Sequence, residues 1–254
     1  NLKDYIEKKK LIYIATPFSY KAAKWLNDNN LKIFKIGSGE CNNIPFIKYV
    51  CSFKKPMIIS TGMNSLETVK KTIRIVKKHK IPHAILHCIN LYPVDYKYIR
   101  LGRLNKMIQT FKSSIIGYSD HSIGNTIPIA ALALGAKIIE KHFVIEKNRK
   151  GPDIICSMDK TELKDLLAAS IKIHEAFSSN KEIISEEDKS RRFAFHSVVS
   201  KKDINKNEVL SWKNLTTKRP GTGDFLSYKI YSLIGRKAKK YIKKNHLIKK
   251  KYIK

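Results

Sequence analysis

Short apolar runs rich in β-branched residues recur along the first 177 residues of the chain. They occupy residues 11–15, 33–36, 57–59, 84–88, 115–117 and 137–140. Their length is typical of strands, and helical patterns lie between them. Strand and helix therefore alternate six times, which predicts a parallel sheet that is either doubly wound or closed into a barrel.

The helical pattern is clearest at residues 65–80, and another helix is predicted at residues 161–177. Asp159 and Glu162 form a capping-box-like start. Apolar residues then follow at spacings of three and four, which place them on one helix face. This predicted buried stripe consists of Leu163, Leu166, Leu167 and Ile171.

Polar side chains follow every predicted strand. They are Thr16; Lys35, Ser38 and Glu40; Ser60 and Thr61; His87 and Asn90; Ser119 and His121; and Glu140 and His142. In a (β/α)8 barrel the carboxyl ends of all strands converge on one pocket, so this pattern favours a TIM barrel over an open sheet with one crevice. Six units are two short of a barrel, and the chain opens on Asn in a helix-like segment. We therefore expect a barrel domain at residues 1–180 that lacks about two N-terminal βα units.

The pattern changes after residue 180. A polar linker is predicted at residues 181–190, and short strands divided by turn residues follow at 191–254. This second, β-rich domain is too small to bury a large core, so we expect it to dock on a larger body.

Composition narrows the class of protein. The chain has 254 residues, of which 43% are hydrophobic, and no charge-free apolar run reaches the length of about 18 residues that a membrane helix requires. No signal peptide is predicted. The four cysteines form no CxxC pair, so we expect reduced thiols in a cytoplasmic protein rather than a zinc site or a disulfide scaffold.

The net charge of +30 raises the question of nucleic-acid binding. Of the 51 basic residues, 43 are Lys and 8 are Arg, whereas specific phosphate and base recognition relies on the planar Arg fork. We therefore expect a solvated basic surface, with no nucleic-acid or membrane partner. Residues 191–254 hold 19 basic and 3 acidic residues, and this uneven excess supports a domain boundary.

Two successive predicted strands each end in a histidine, His121 and His142. If the strands pair in parallel, about 4.8 Å apart, both imidazoles and Glu140 come within reach of one divalent cation. The alternative is that the histidines are ordinary polar residues at strand ends. This alternative explains a single histidine better than it explains two histidines in register on neighbouring strands.

Seven motifs, in one order over essentially the whole chain, resemble those of the bacterial sialic acid synthases. They are KIGSGE (35–40), STGM (60–63), HCINLYP (87–93), GYSDH (117–121), EKHF (140–143), GPD (151–153) and KRPGTG (218–223). The tail resembles the antifreeze-like (SAF) domain of that family. The resemblance implies a TIM barrel with a C-terminal SAF domain. It also implies condensation of phosphoenolpyruvate with N-acetylmannosamine, or a related N-acyl amino sugar, to give N-acetylneuraminate and phosphate.

The resemblance also implies roles for single residues. A divalent metal, usually Mn²⁺ with Mg²⁺ or Co²⁺ as alternatives, would be held by His121 and His142. Phosphoenolpyruvate would contact Thr16, Lys35, Ser60, Asn90 and Ser119. The sugar would contact Tyr92 and Asp153. Phe193 and Arg219 would cover the sugar from the partner subunit, in a homodimer whose subunits exchange their C-terminal domains.

Glu40 and Lys35 are the predicted catalytic residues. A carboxyl group beside a metal and a phosphate can deliver or take the proton as water adds, although a structural Glu40 bonded to turn amides is an equal alternative. Glu140 is expected to orient a histidine. The alternative for Lys35 is that it is an ordinary surface lysine. The alternative for Arg219 is that it only stabilises a turn.

The chain departs from the family at its start, where two strands that supply a lysine, a glutamine and a glutamate have no counterpart. We therefore expect no synthase activity from this polypeptide alone. Three hypotheses remain open: a synthase, for N-acetylneuraminate or a legionaminic-type sugar; a truncated, non-catalytic remnant; and a basic binding module at residues 191–254.

Overall fold

The computed structural model describes residues 2–177 and 182–254 of the chain. The polypeptide divides into two compact units, Asn1–Ser178 and Ser179–Lys254. Within the described ranges, no helix combines the length and the apolar character needed to cross a membrane.

The first unit contains a parallel sheet with one strand at each predicted position. The strands are β1 (Ile14–Ala15), β2 (Ile33–Ile36), β3 (Met57–Ser60), β4 (His83–Cys88), β5 (Ile115–Asp120) and β6 (Ile139–Lys141). Each pairs with its sequence neighbour in the order β1-β2-β3-β4-β5-β6. This order confirms consecutive units of a TIM barrel, with six strands in the described residues where a complete barrel has eight.

Helices connect the strands of the first unit. They are α1 (Leu2–Lys8), α2 (Tyr20–Asp28), α3 (Ile44–Ser52), α4 (Leu66–Lys78), α5 (Tyr96–Ile99), α6 (Leu101–Thr110), α7 (Thr126–Ala133) and α8 (Lys160–Ala176). Helix α4 shows how they attach: the Ser65 side chain accepts the amide of Thr68, and Val69, Ile73 and Val76 are buried against the sheet core. Side-chain capping satisfies the first turn while the apolar face packs inward.

The predicted stripe of α8 is wrong in part. The Asp159–Glu162 capping box forms as expected, but Leu166 is the one buried residue of this helix, whereas Leu167 and Ile171 are 55% and 59% exposed. Periodicity identifies which face of a helix is apolar, but it does not show whether another element covers that face.

The second unit contains α9 (Asp188–Ala194) and an antiparallel pair, β7 (Ser197–Ser200) and β8 (Leu215–Lys218). Isolated bridges such as Val209 to Lys237 extend the pairing, as expected for short strands divided by turns. Its apolar core includes Val198, Ile204, Leu210 and Leu233. Of the predicted polar linker at 181–190, residue 181 lies outside the described residues, and residues 185–190 are helical.

Candidate active site

The carboxyl ends of the barrel strands open on one cavity of about 280 Å³. Eight predicted site residues line it: Thr16, Lys35, Ser60, Asn90, Tyr92, Ser119, His121 and His142. Each lies within or just after a strand, so the common direction of the strands explains why they meet.

Lys35 places a charge at the base of this cavity. It is 8% exposed, and its Nζ donates to Ser60 Oγ at 2.8 Å and to the Ile36 carbonyl at 3.2 Å. Its third neighbour is Glu140 Oε2, at 3.4 Å. A buried ammonium requires such partners, and the alternative of a surface lysine is therefore wrong.

Glu140 is the carboxylate of the cavity. The parallel register pairs it with Ser119, and Ser119 Oγ donates to Glu140 Oε1 at 2.7 Å. With Lys35 on its other oxygen, Glu140 bonds to a hydroxyl and an ammonium rather than orienting a histidine as expected. Its side chain is 42% exposed, so it remains accessible to water.

His121 and His142 face one another with ring centroids 5.3 Å apart. Their strands are neighbours in register, Asp120 opposite Lys141, as the spacing in the sequence predicts. His121 Nδ1 lies 2.8 Å from the Ile89 carbonyl; because a carbonyl only accepts, Nδ1 carries the proton and Nε2 keeps its lone pair. Burial lowers the pKa of His121, which favours the neutral ring that can bind a metal.

The donor chemistry of this pair fits a divalent metal. Imidazole nitrogen suits first-row transition ions, and the proton at Nδ1 of His121 leaves the opposite nitrogen free to bind. Across residues 2–177 and 182–254, no cluster of three or more His, Cys, Asp or Glu residues is arranged to hold a metal. His121 and His142 are the residues that would hold a metal at this site.

Asn90 and Tyr92 form the wall beside the histidines. Asn90 Nδ2 donates to the Tyr92 hydroxyl at 3.5 Å, and the Tyr92 ring lies 4.0 Å from that of His121. Burial raises the pKa of Tyr92 to about 12, so its hydroxyl stays protonated and can donate. A Cβ at Gly62 would overlap Asn90 Oδ1, so the absence of a side chain there sets the position of Asn90.

Two predicted residues of the first unit lie outside the cavity lining. Glu40 accepts from Asn43 Nδ2 at 2.7 Å, and Asn43 in turn caps α3, so Glu40 has a local structural contact. Asp153 Oδ2 is 3.9 Å from His142 Nδ1. Asp153 is thus close to the candidate metal pair.

Phe193 and Arg219 come together in the second unit. The Arg219 guanidinium lies 5.8 Å from the centre of the Phe193 ring, and its Nε donates to the Ala194 carbonyl at 3.0 Å. Phe193 is 72% exposed. The two side chains therefore form an exposed cation–π pair.

Sequence reasoning did not select Phe18 and Cys88, which also line the cavity, and it placed Ser38 at a strand end without giving it a role. For Cys88 the alternation of strand side chains was available as a signal, because Cys88 and Leu86 lie on the same face of β4. Burial raises the pKa of the Cys88 thiol, which disfavours the nucleophilic thiolate. Phe18 follows β1 without any pattern that would have marked it.

Comparisons with known proteins agree along the whole chain. Residues 1–182 match the NeuB family, and residues 195–254 match the SAF domain. The chain is 36% identical to N,N'-diacetyllegionaminic acid synthase of Campylobacter jejuni, over 96% of this chain and 74% of that protein. It is 31% identical to human N-acetylneuraminate-9-phosphate synthase, over 93% of this chain and 66% of that protein.

A solved structure supports the same relationship. The N-acetylneuraminic acid synthetase of Leptospira borgpetersenii, crystallised with citrate, superposes with a TM-score of 0.71 at 31% identity. The match covers 74% of this chain and 66% of that one.

Proposed function

This chain belongs to the NeuB family, and on that premise we propose that it condenses phosphoenolpyruvate with an open-chain N-acyl amino sugar, N-acetylmannosamine in the first instance. The products would be a nine-carbon sialic acid and phosphate. The observation that carries the proposal is the cavity itself, which gathers one cation, several neutral hydrogen-bonding side chains and two histidines.

The cavity suits a small anion that carries both phosphate and carboxylate. Lys35 supplies the positive charge, and Ser60 Oγ and Ser119 Oγ already lie at hydrogen-bonding distance from Lys35 and Glu140. Thr16 and Asn90 add neutral polar groups to the lining. Charge-assisted hydrogen bonds of this kind orient an anion as well as binding it.

In the proposed reaction, the methylene carbon of phosphoenolpyruvate forms a bond to the aldehyde carbon of the sugar, and the aldehyde oxygen gains a proton. Water adds to the carbon that carries the phosphate, and the bond from that carbon to the phosphate oxygen then breaks. A divalent metal held by His121 and His142, Mn²⁺ by preference, would supply Lewis acidity at the aldehyde. Tyr92, whose hydroxyl stays protonated, would donate a hydrogen bond to the sugar.

Two carboxylates are candidates for proton transfer. Glu140 lies in the cavity between Lys35 and Ser119, where it can take a proton from an attacking water. Glu40 stays a prediction, because its recorded contact is with Asn43 outside the cavity lining.

A legionaminic-type sugar is the second candidate substrate. The observation that favours it is the similarity to N,N'-diacetyllegionaminic acid synthase, at 36% identity. The two sugars differ in acylamino groups, so the same cavity chemistry serves either one.

The experiment assays this polypeptide, alone and in a form extended at its N-terminus by two βα units that complete the barrel, with phosphoenolpyruvate, Mn²⁺ and either N-acetylmannosamine or a diacetamido analogue. Mass spectrometry of the nine-carbon product and release of phosphate are the two readouts. The polypeptide alone should be inactive, whereas the extended form should give product with one sugar and lose that activity with EDTA. Phosphoenolpyruvate binding without product from any sugar would instead support the non-catalytic remnant.

We further propose a cytoplasmic homodimer in which Phe193 and Arg219 act on the partner's barrel. All four cysteines are free thiols, as a reducing compartment requires. Mixing Arg219→Ala and Lys35→Ala subunits should restore about a quarter of the activity, because half of the dimers are mixed and each has one intact site. Mixed dimers without activity would place Arg219 in the site of its own chain.

A further inference from the structure

A buried ion pair lies immediately behind the two histidines. Lys141 Nζ is 2.5 Å from Asp120 Oδ2, and both side chains are 0% exposed. Lys141 also donates to the Ser122 carbonyl at 2.6 Å. Ser122 in turn donates to Asp120 through its amide, at 3.2 Å, and its hydroxyl, at 2.9 Å.

This cluster joins the ends of the two strands that carry the histidines. Asp120 directly precedes His121, Lys141 directly precedes His142, and the two are register partners across β5 and β6. Because strand side chains alternate between faces, the pair lies on the face opposite to Ser119, Glu140 and the imidazoles. The Lys141 bond to Ser122 extends the connection past His121 to the turn that follows it.

We propose that Asp120 and Lys141 are positioning residues that fix the separation of His121 and His142. The ion pair sets the spacing of the two strand ends, and Ser122 fixes the turn after His121. The approach of the two imidazoles, 5.3 Å between centroids, follows from these constraints. The inference deepens the proposed function, since it rests on these histidines holding the metal.

Stability alone does not account for a pair of this kind. Buried ion pairs can often be replaced by apolar residues of similar volume without loss of stability, whereas removal of one partner is strongly destabilising. The double variant Asp120→Leu/Lys141→Met therefore separates the two roles. It removes both charges together and keeps the volume, while the connection to Ser122 is lost.

The test compares this double variant with Lys147→Met, which breaks the Lys147–Glu162 ion pair of the same unit, at 2.5 Å. Three measurements are made on the full chain: urea unfolding, Mn²⁺ affinity by calorimetry, and the visible absorption spectrum of bound Co²⁺. We expect the double variant to unfold at nearly the wild-type urea concentration, to bind Mn²⁺ about 10- to 100-fold more weakly and to show a changed Co²⁺ spectrum. Lys147→Met should change neither metal measurement.

A fourth measurement separates this inference from the metal proposal. The imidazole nitrogen resonances of His121 and His142, recorded without metal, should shift in the double variant while those of His79 stay in place. If they shift but no variant or wild-type chain binds Mn²⁺, the positioning inference holds and the metal proposal fails. Unchanged imidazole resonances in a folded double variant would overturn the inference.

Discussion

Two adjacent residues of β6 belong to ion pairs on opposite faces of the sheet, and the pairs differ in their access to solvent. Glu140 pairs with Lys35 inside the cavity, where the side chains are 42% and 10% exposed. Lys141 pairs with Asp120 behind the cavity, where both are 0% exposed. The rear pair is enclosed by protein donors and acceptors, whereas the cavity pair keeps one side toward water.

The difference separates a binding group from a structural one. A charge that is surrounded by fixed partners has little capacity to contact a ligand, and removing its partner leaves a costly buried charge. A charged side chain that is partly exposed can exchange its bound water for substrate. Four predictions test this distinction, in order of expected effect.

The largest effect is expected at the histidines. In the form extended by two N-terminal βα units, His121→Ala and His142→Ala should each reduce Mn²⁺-dependent condensation below detection and leave the fold intact, because one imidazole is too few ligands for the site. Activity and Mn²⁺ binding are the measurements, and circular dichroism checks the fold. His79→Ala, at the end of α4, is the control. Activity that survives in either variant after treatment with a chelator would contradict the assignment.

The two ion pairs should respond differently to loss of their lysines. Lys141→Met leaves the Asp120 carboxylate buried and unpaired, and should lower the free energy of unfolding by about 3–5 kcal/mol. Lys35→Met leaves Glu140 in contact with water, and should change that free energy by about 1 kcal/mol or less. Phosphoenolpyruvate binding should show the reverse order in proteins that remain folded. Urea unfolding and calorimetry give both quantities, and equal stability losses would remove the distinction.

The next effect concerns the shape of the cavity wall. In Gly62→Ala the new methyl group must displace the Asn90 amide, so phosphoenolpyruvate binding should weaken by about 1–3 kcal/mol, the usual range for an overpacked site. Gly102→Ala is the matched control, because this exposed helical glycine has open space around it. It should stabilise the chain by about 0.5–1 kcal/mol without affecting binding. Equal affinities in the two variants would show that Asn90 adjusts freely.

The smallest effect is expected from a histidine that faces away from the cavity. His87 donates through Nε2 to the Ile99 carbonyl, and its Nδ1 has no partner in the described structure. Burial lowers its pKa, so the unfolded chain binds the proton more readily. The contribution of neutral His87 to the free energy of unfolding is fully present above the pKa of the unfolded state, about 6.5. It decreases as the pH falls below that value, by at most about 1.4 kcal/mol per pH unit.

Urea unfolding at pH 7.5 and 5.5 measures this dependence. His87→Asn should lose less stability than the wild type over that interval. His121 contributes in the same direction, so the slope should decrease without vanishing. An unchanged slope would mean that His87 is protonated equally in both states.

Much of the barrel could be predicted from the sequence. The strand positions were correct because β-branched runs of three to five residues, in a parallel sheet that is covered on both faces, leave few alternatives. The histidine pair followed from the same register. The exposure of Leu167 and Ile171 could not be predicted, because it depends on which elements lie beside α8 and not on the sequence of α8 itself.

Which of the two carboxylates, Glu40 or Glu140, lies in the cavity also depends on tertiary contacts. Glu40 follows β2 and Glu140 lies within β6, so the sequence places both carboxyl groups near the end of a strand. The register of β5 and β6 places Glu140 opposite Ser119, and only the folded sheet brings Lys35 of β2 to the same point. Glu40 instead lies at the end of a helical turn, Ser38–Glu40, beside its neighbour Asn43.

The contact between Lys35 and Glu140 makes Glu140 an intramolecular competitor for any anion that binds Lys35. A phosphate or carboxylate arriving at Nζ must share this cation with a carboxylate already 3.4 Å away. Occupancy of the site is therefore an exchange of partners rather than a simple addition, and much of the heat released by the new contact is consumed in weakening the old one. An affinity measured at this cavity reports the difference between two anions competing for one lysine.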